Sequence, residues 1–256
     1  MPLRHARPAL GADVRAAVRP VSMAGEQSLP VDAALGQLFP EGLRRGEVIG
    51  IEGPAAVSCA LAVAAGPSAA GCWTIVAGLS GSGPRQRGRA GGGEPEPGAS
   101  RLGVGAAAGL GVVPERLVVL APARLDPAAW AAALTAAVDG FEVVVVRPPA
   151  GLTPGLWRRL GPRVRDRGGV LVGGDLPGGW ERTTTLHTVE AAWDGVGDGS
   201  GYLRARSVTV ECVGRGGASR PRRADLLLPG PGGRAALVEP AAVTAAPVDP
   251  PIRRVG

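Results

Sequence analysis

The sequence predicts an α/β domain, a mostly parallel sheet with helices on both faces and antiparallel strands toward the C-terminus. Three observations predict it. Short runs that are apolar on both faces, such as Val143-Val-Val-Val146, alternate with alanine-rich or amphipathic stretches of helical length, the order that builds a covered parallel sheet. The segments after residue 181 alternate apolar with polar residues instead, as strands with one wet face do. Glycine (42) and proline (25) make up about a quarter of the 256 residues and are densest in residues 80–101 and 230–256, while residues 1–27 lack any apolar period, so the ordered core is bounded by loop-like composition.

The elements follow in order. Residues 1–27 mix Arg, Pro, Gly and Ala without a period and read as a flexible arm, with a short helix near Ala12 to Val18. Leu29 to Gly36 opens the ordered part, residues 28–229, with Asp32 as the N-cap of a short helix. Glu47 to Glu52 is a strand, Gly53-Pro54 a turn, and Ala55 to Ala65 a helix by propensity. Trp73 to Gly78 is a second buried strand, and residues 80–101 form a disordered insertion. A small helix near Gly105 to Leu110 precedes a strand at Leu117 to Leu120. Asp126-Pro127 is an N-cap followed by a first-turn proline for a helix to Val138. Phe141 to Val146 is the central strand, Leu156 to Arg167 a basic amphipathic helix, and Gly169 to Val172 a further buried strand. Arg182 to Glu190, Tyr202 to Val213 and Ala224 to Leu228 are the antiparallel strands, and a flexible tail begins at residue 230.

Every one of the 28 basic residues is arginine, and the net charge is +6. That balance permits contact with nucleic acid or with an acidic protein surface, without choosing between them. Cys59, Cys72 and Cys212 are widely spaced with only His5 and His187 to join them, so neither a zinc site nor a disulfide framework is expected. No signal segment and no apolar run of spanning length occurs, so the expected location is cytoplasmic with no membrane contact.

The string Glu47-Val-Ile-Gly-Ile-Glu-Gly-Pro-Ala-Ala-Val-Ser-Cys-Ala60 has the strand, glycine turn and helix of a phosphate-binding loop. Such a loop cradles phosphates with turn amides, meets the β/γ oxygens with a lysine and holds Mg²⁺ with a Ser/Thr hydroxyl. The lysine and hydroxyl positions here are Cys59 and Ala60. Gly53, Pro54, Ser58, Cys59 and Ala60 therefore mark a vestigial nucleotide loop, and the plain alternative is a tight strand-to-helix connection.

Asp32-Ala-Ala-Leu-Gly36, Gly42-Leu-Arg-Arg-Gly-Glu-Val-Ile49 and Gly53-Pro54 together resemble RecA, over about residues 29 to 213. The resemblance implies a RecA-like sheet, a metal-linked acidic residue at position 147 and a catalytic glutamate within Ala77-Gly78-Leu79. Position 147 is Arg, and the second segment has no carboxylate. With lysine, hydroxyl, aspartate and glutamate all missing, phosphoryl transfer lacks the groups that position metal and water. A cation at the vestigial site Arg147 also repels Mg²⁺.

Gly53-Pro-Ala-Ala, Leu152-Thr-Pro-Gly-Leu-Trp-Arg-Arg-Leu160, Arg165-Asp-Arg-Gly-Gly-Val-Leu-Val172 and Val213-Gly-Arg-Gly-Gly-Ala-Ser-Arg-Pro-Arg-Arg-Ala-Asp225 are similar to the actinobacterial ImuA-prime group of RecA-like proteins. That resemblance implies a mutasome accessory role in DNA-damage-induced translesion synthesis. The implied partners are an inactive Y-family polymerase homologue and an error-prone C-family DNA polymerase, with DNA as a further contact. No cofactor, metal or catalytic residue is expected. The alternatives are a nucleotide-dependent RecA-like repair ATPase and a nonspecific DNA-binding module.

The candidate contact site for DNA or partner is Arg204, Arg206, Arg215, Arg220, Arg222 and Arg223, a cationic set relieved by Glu211 and Asp225. Its plain alternative is a solvated hairpin in an arginine-rich chain. Arg158, Arg159, Arg163, Arg165 and Arg167 read as the solvated face of a helix whose Leu156, Leu160 and Val164 are buried. The five tryptophans read as core anchors, so single-strand binding by stacking has little support.

Overall fold

The computed structural model describes residues 28–79, 102–120, 126–149, 152, 154–174, 181–197, 200–215, 220–230 and 232–238. The arm at 1–27, the insertion at 80–101 and the tail beyond 238 lie outside the described residues.

In chain order the strands are β1 (Ser28–Leu29), β2 (Leu43–Arg44), β3 (Val48–Glu52), β4 (Thr74–Ala77), β5 (Leu117–Leu120), β6 (Val143–Val146), β7 (Val170–Gly174), β8 (Thr184–Gly197), β9 (Ser200–Gly214), β10 (Arg222–Leu227) and β11 (Ala236–Leu237). The helices are α1 (Ala56–Ala69), α2 (Val104–Gly109), α3 (Pro127–Gly140) and α4 (Pro154–Arg167). β1 and β2 pair with each other, and the other nine strands form one sheet in the order β11-β10-β9-β8-β3-β7-β6-β4-β5. Every pair from β8 to β5 is parallel, and β8, β9, β10 and β11 pair antiparallel.

Strand alternation divides the core into two layers. Ile49, Ile51, Val143, Val145, Val170 and Val172 point to the side that α1 and α2 cover. Val48, Val144, Val146 and Leu171 point to the side that α3 and α4 cover. β6 is therefore buried on both faces, which is why its sequence is four valines without alternation. Removing a valine or isoleucine side chain of this kind from water contributes about 1.5–3 kcal/mol.

α1 carries no polar stripe because Cys59 through Ala65 are all buried. Its close fit depends on Gly66, where an added Cβ would lie 2.6 Å from Val31 Cα. α4 is the opposite case. Leu156, Trp157, Leu160 and Val164 face the core at helical spacing, and Arg163 and Arg167 share Asp139 of α3 at 2.5 and 3.1 Å. These pairs hold the Asp139 carboxyl below its usual range, with the Arg163 hydrogen bond the main cause. Asp126 caps α3 as expected, accepting a hydrogen bond from Ala129 N at 2.7 Å.

Three expectations change. The helix after Asp32 is a single 3-10 turn, Ala33–Leu35, because Gly36 and the packing of Leu35 and Leu38 end it. β8 and β9 run well past the expected strands, to Gly197 and from Ser200. The β8–β9 register shifts at two bulges, between Thr188 and Glu190 and between Asp194 and Val196, and pairing continues beyond each. The third change is at the expected tail. β11 adds to the sheet at residues 236–237, and Arg234 reaches Asp32 at 3.0 Å, so sheet and ion pair tie this stretch down beyond residue 229.

Glu47, at the foot of β3, is half-buried. Thr184 Oγ1 donates to one of its oxygens and Arg44 N to the other at 3.2 Å, while desolvation raises its pKa above the ordinary 4.5. A raised folded-state value means that this group's stabilising contribution is complete below about pH 4.5 and is lost as pH rises through the folded value. Glu47→Gln is therefore expected to remove that part of the pH dependence. It should leave the chain no less stable than the parent at pH 7. Denaturant unfolding of both chains at pH 4 and pH 7 measures the difference.

Candidate functional site

Gly53 ends β3 at a φ of +104°, a conformation glycine adopts without penalty. The turn that follows is short, because α1 begins at Ala56, three residues on. A phosphate-binding loop needs residues 54 to 58 to arc around the anion, yet 56 to 58 are already helical here. Thr188 of β8 fills the inside of the turn. Its hydroxyl accepts from Ala55 N at 3.3 Å and donates to Glu52 O at 2.9 Å. A turn amide that would meet phosphate is thus already bonded within the fold.

Cys59, at the lysine position, is fully buried on α1, and desolvation pushes its thiol up to about 12. Ala60 is buried beside it, while Ser58 is half-buried and Pro54 exposed. The residues present do not fit the phosphates of a nucleotide. Thr188→Val is expected to cost about 1–3 kcal/mol, since it leaves the Ala55 amide buried without its acceptor. Thermal unfolding of the variant checks the value.

The other positions implied by the RecA resemblance do assemble at the same edge. Gly78 ends β4 and Arg147 follows β6, with Arg147 N donating to Ala77 O at 3.0 Å. One strand, β7, separates β6 from β3, which places Arg147 about 10 Å across the edge from the Gly53 turn. Arg147 is exposed, and the Ala77 to Leu79 corner brings no carboxylate.

One carboxylate at this edge was not singled out in the sequence. Glu52 is the last residue of β3, ion-paired with Arg182 and 3.5 Å from His187 Nδ1. Its neighbours come from residues 182 and 187, and only strand register reveals that His187 lies opposite it. The row continues across the sheet, since His187 faces Glu211 and Glu211 faces Arg223 at 3.4 Å. In sequence the signal was limited to Glu52 standing beside Gly53.

The six arginines of the candidate contact site do not form one surface. Arg206 Nη2 donates to Pro54 O at 2.7 Å, and its guanidinium lies 5.4 Å from the Trp193 ring, so it braces the Gly53 turn. Arg204 is exposed near the same edge. Arg215, Arg220 and Arg222 lie at the opposite edge, where β9 ends and β10 begins, and Arg222 Nη1 donates to Leu38 O at 3.3 Å. Arg223 points to the other face of β10, toward Glu211. Register explains the division, because β9 crosses the whole sheet between Arg204 and Arg215.

Residues 97–182 match the family model described as the MT3502 N-terminal domain, a domain of uncharacterised function. The match covers α2 through β7 and excludes the Gly53 turn and the β8–β9 ribbon. No curated protein matches the chain. Among the described residues, no helix is long and apolar enough to cross a membrane, and no group of His, Cys, Asp and Glu could hold a metal ion.

Proposed function

We propose that this protein is a non-catalytic RecA-like adaptor of the ImuA-prime kind, acting in DNA-damage tolerance. In this reading the sheet is a rigid frame inherited from a nucleotide-binding ancestor. Its work is to hold an inactive Y-family polymerase homologue in contact with an error-prone C-family polymerase and with DNA. The string resemblances supply the partners.

The observation that carries the reading is the closed Gly53 turn, with Thr188 bonded to the Ala55 amide and position 59 inside the core. Arg147 adds to it, placing a cation where the ancestral site needs a carboxylate. Calorimetry with ATP and Mg²⁺ is expected to give no binding heat. Capture of a purified Y-family polymerase-like protein by the intact chain is expected to succeed. Micromolar nucleotide affinity would overturn the inactive-site reading, and failed capture would overturn the adaptor role.

A further inference from the structure

We propose that the edge of the sheet opposite the Gly53 turn is a docking band for the phosphate backbone of nucleic acid. The band is built from three segments that are distant in sequence. Arg44 ends β2 and Arg45 lies in the turn leading into β3, Arg165 and Arg167 are in the last turn of α4, and Arg215 and Arg222 lie where β9 hands over to β10. All three segments sit at the end where the parallel strands begin.

The contacts between these segments are direct. Arg45 Nη1 donates to Gly168 O at 3.4 Å, and Gly46 N to Gly169 O at 2.8 Å, joining the first segment to the second. Gly46 lies so near Arg165 that an added Cβ would fall 2.9 Å from its Cα. On the other side, Arg44, Arg215 and Arg222 line one cavity of about 30 Å³ with Glu41 and Glu47. Arg215 N is tied to Thr183 O at 2.8 Å, which fixes that segment against the foot of β8.

From β7 to β10 the order is β7-β3-β8-β9-β10, so the band runs about 19 Å at the usual strand spacing. That length spans five or six nucleotide steps at about 3.4 Å each. Glu41, Asp139, Asp166 and Glu181 are interleaved with it. Glu41 pairs with Arg44 and Glu181 lies 3.8 Å from Arg165, both at the surface, while the half-buried Asp139 holds Arg167 together with Arg163. Exposed pairs of this kind are worth about 0–1 kcal/mol, so a phosphate can replace the carboxylate at small cost.

The chemistry favours nucleic acid over an acidic protein. A stable protein interface needs buried aromatic or aliphatic anchors. The large exposed apolar residues of the described chain are Val57, Val104, Val189, Trp193, Leu237 and Val238, and none belongs to the three segments. Charged forks without apolar anchors suit sequence-independent phosphate contact. The proposal deepens the DNA-contact part of the adaptor reading and needs nothing from its polymerase part.

The test is fluorescence anisotropy of the intact chain with a labelled DNA duplex and its separate strands, across a salt series. Binding is expected to weaken with salt at a log–log slope of about −3 to −4. Arg165→Glu with Arg215→Glu should weaken it at least tenfold and reduce the slope by about 2. Charge changes at the opposite edge, Arg147→Glu and the milder Arg147→Gln, should leave both unchanged. The milder pair Arg165→Gln and Arg215→Gln serves if the double reversal melts below the parent. Absence of DNA binding by the parent chain at low salt overturns the band, as does equal weakening by the opposite-edge variants. Displacement of DNA by polyglutamate at equal charge reassigns the band to an acidic protein and also overturns it. Polymerase capture without DNA binding would refute the band and leave the adaptor standing, and DNA binding without capture would do the reverse.

Discussion

Gly53→Ala is expected to destabilise the chain by about 3 kcal/mol or more. Two costs add. At a φ of +104° an L-residue meets its own carbonyl, a penalty of roughly 1–2 kcal/mol. The new methyl would also lie 2.1 Å from Thr188 O and 2.5 Å from Thr188 Oγ1, closer than any real contact. Relief requires β8 to move away from β3, which breaks the Thr188 bonds to Glu52 and Ala55 at about 1 kcal/mol each. Gly71→Ala isolates the first cost. Its φ is +95°, yet nothing lies within 4 Å of the added Cβ, so about 1–2 kcal/mol is expected there. Urea unfolding of both variants gives the comparison. Equal losses would mean that the turn is not packed against β8 at all.

The same contact explains what could and could not be read from the residues. β6 was legible because four valines without alternation fit one environment, a strand buried on both faces. α3 was legible because Asp126-Pro127 specifies its start locally. The Gly53 turn was legible as a turn, but its closure depends on Thr188, 133 residues away from Ala55. No local pattern encodes that pairing. The candidate arginines show the same limit in another form. Arg204 and Arg215 look like neighbours in a cationic stretch, although a long strand carries them to opposite edges. Arg165 and Arg45, far apart in the chain, meet through Gly46 and Gly168. β11 was missed because its composition is that of a tail, and its order comes from pairing with Leu226 and Leu227 and from the Arg234–Asp32 ion pair.

Rebuilding the missing signature is expected to damage the protein instead of reviving it. Cys59→Lys with Ala60→Thr restores the residue types that a phosphate-binding loop uses at those positions. Position 59, however, has no exposure and sits among Ala55, Val63 and Cys212 in the larger core cluster. A lysine there must give up its proton to avoid a buried charge. Burial that shifts a lysine down by 3–5 units costs about 4 kcal/mol or more near neutral pH. The added length brings a further 1–3 kcal/mol or so of overpacking. Together these approach the whole stability of an ordinary domain, about 5–15 kcal/mol, so the expected result is loss of cooperative unfolding or a much lower melting temperature. Ser58→Lys is the matched control. One residue earlier the helix surface is half-buried, the ammonium can reach water along its stem, and the loss should stay near 1 kcal/mol. ATP with Mg²⁺ in the melting experiment then decides what the turn can do. A ligand that binds only the folded chain raises the melting temperature in proportion to its affinity. No rise is expected for the rebuilt signature, because its lysine faces the sheet and the Ala55 amide is held by Thr188. A clear rise would show that position 59 reaches phosphate, and the assignment of the turn as a closed structural joint would fall with it.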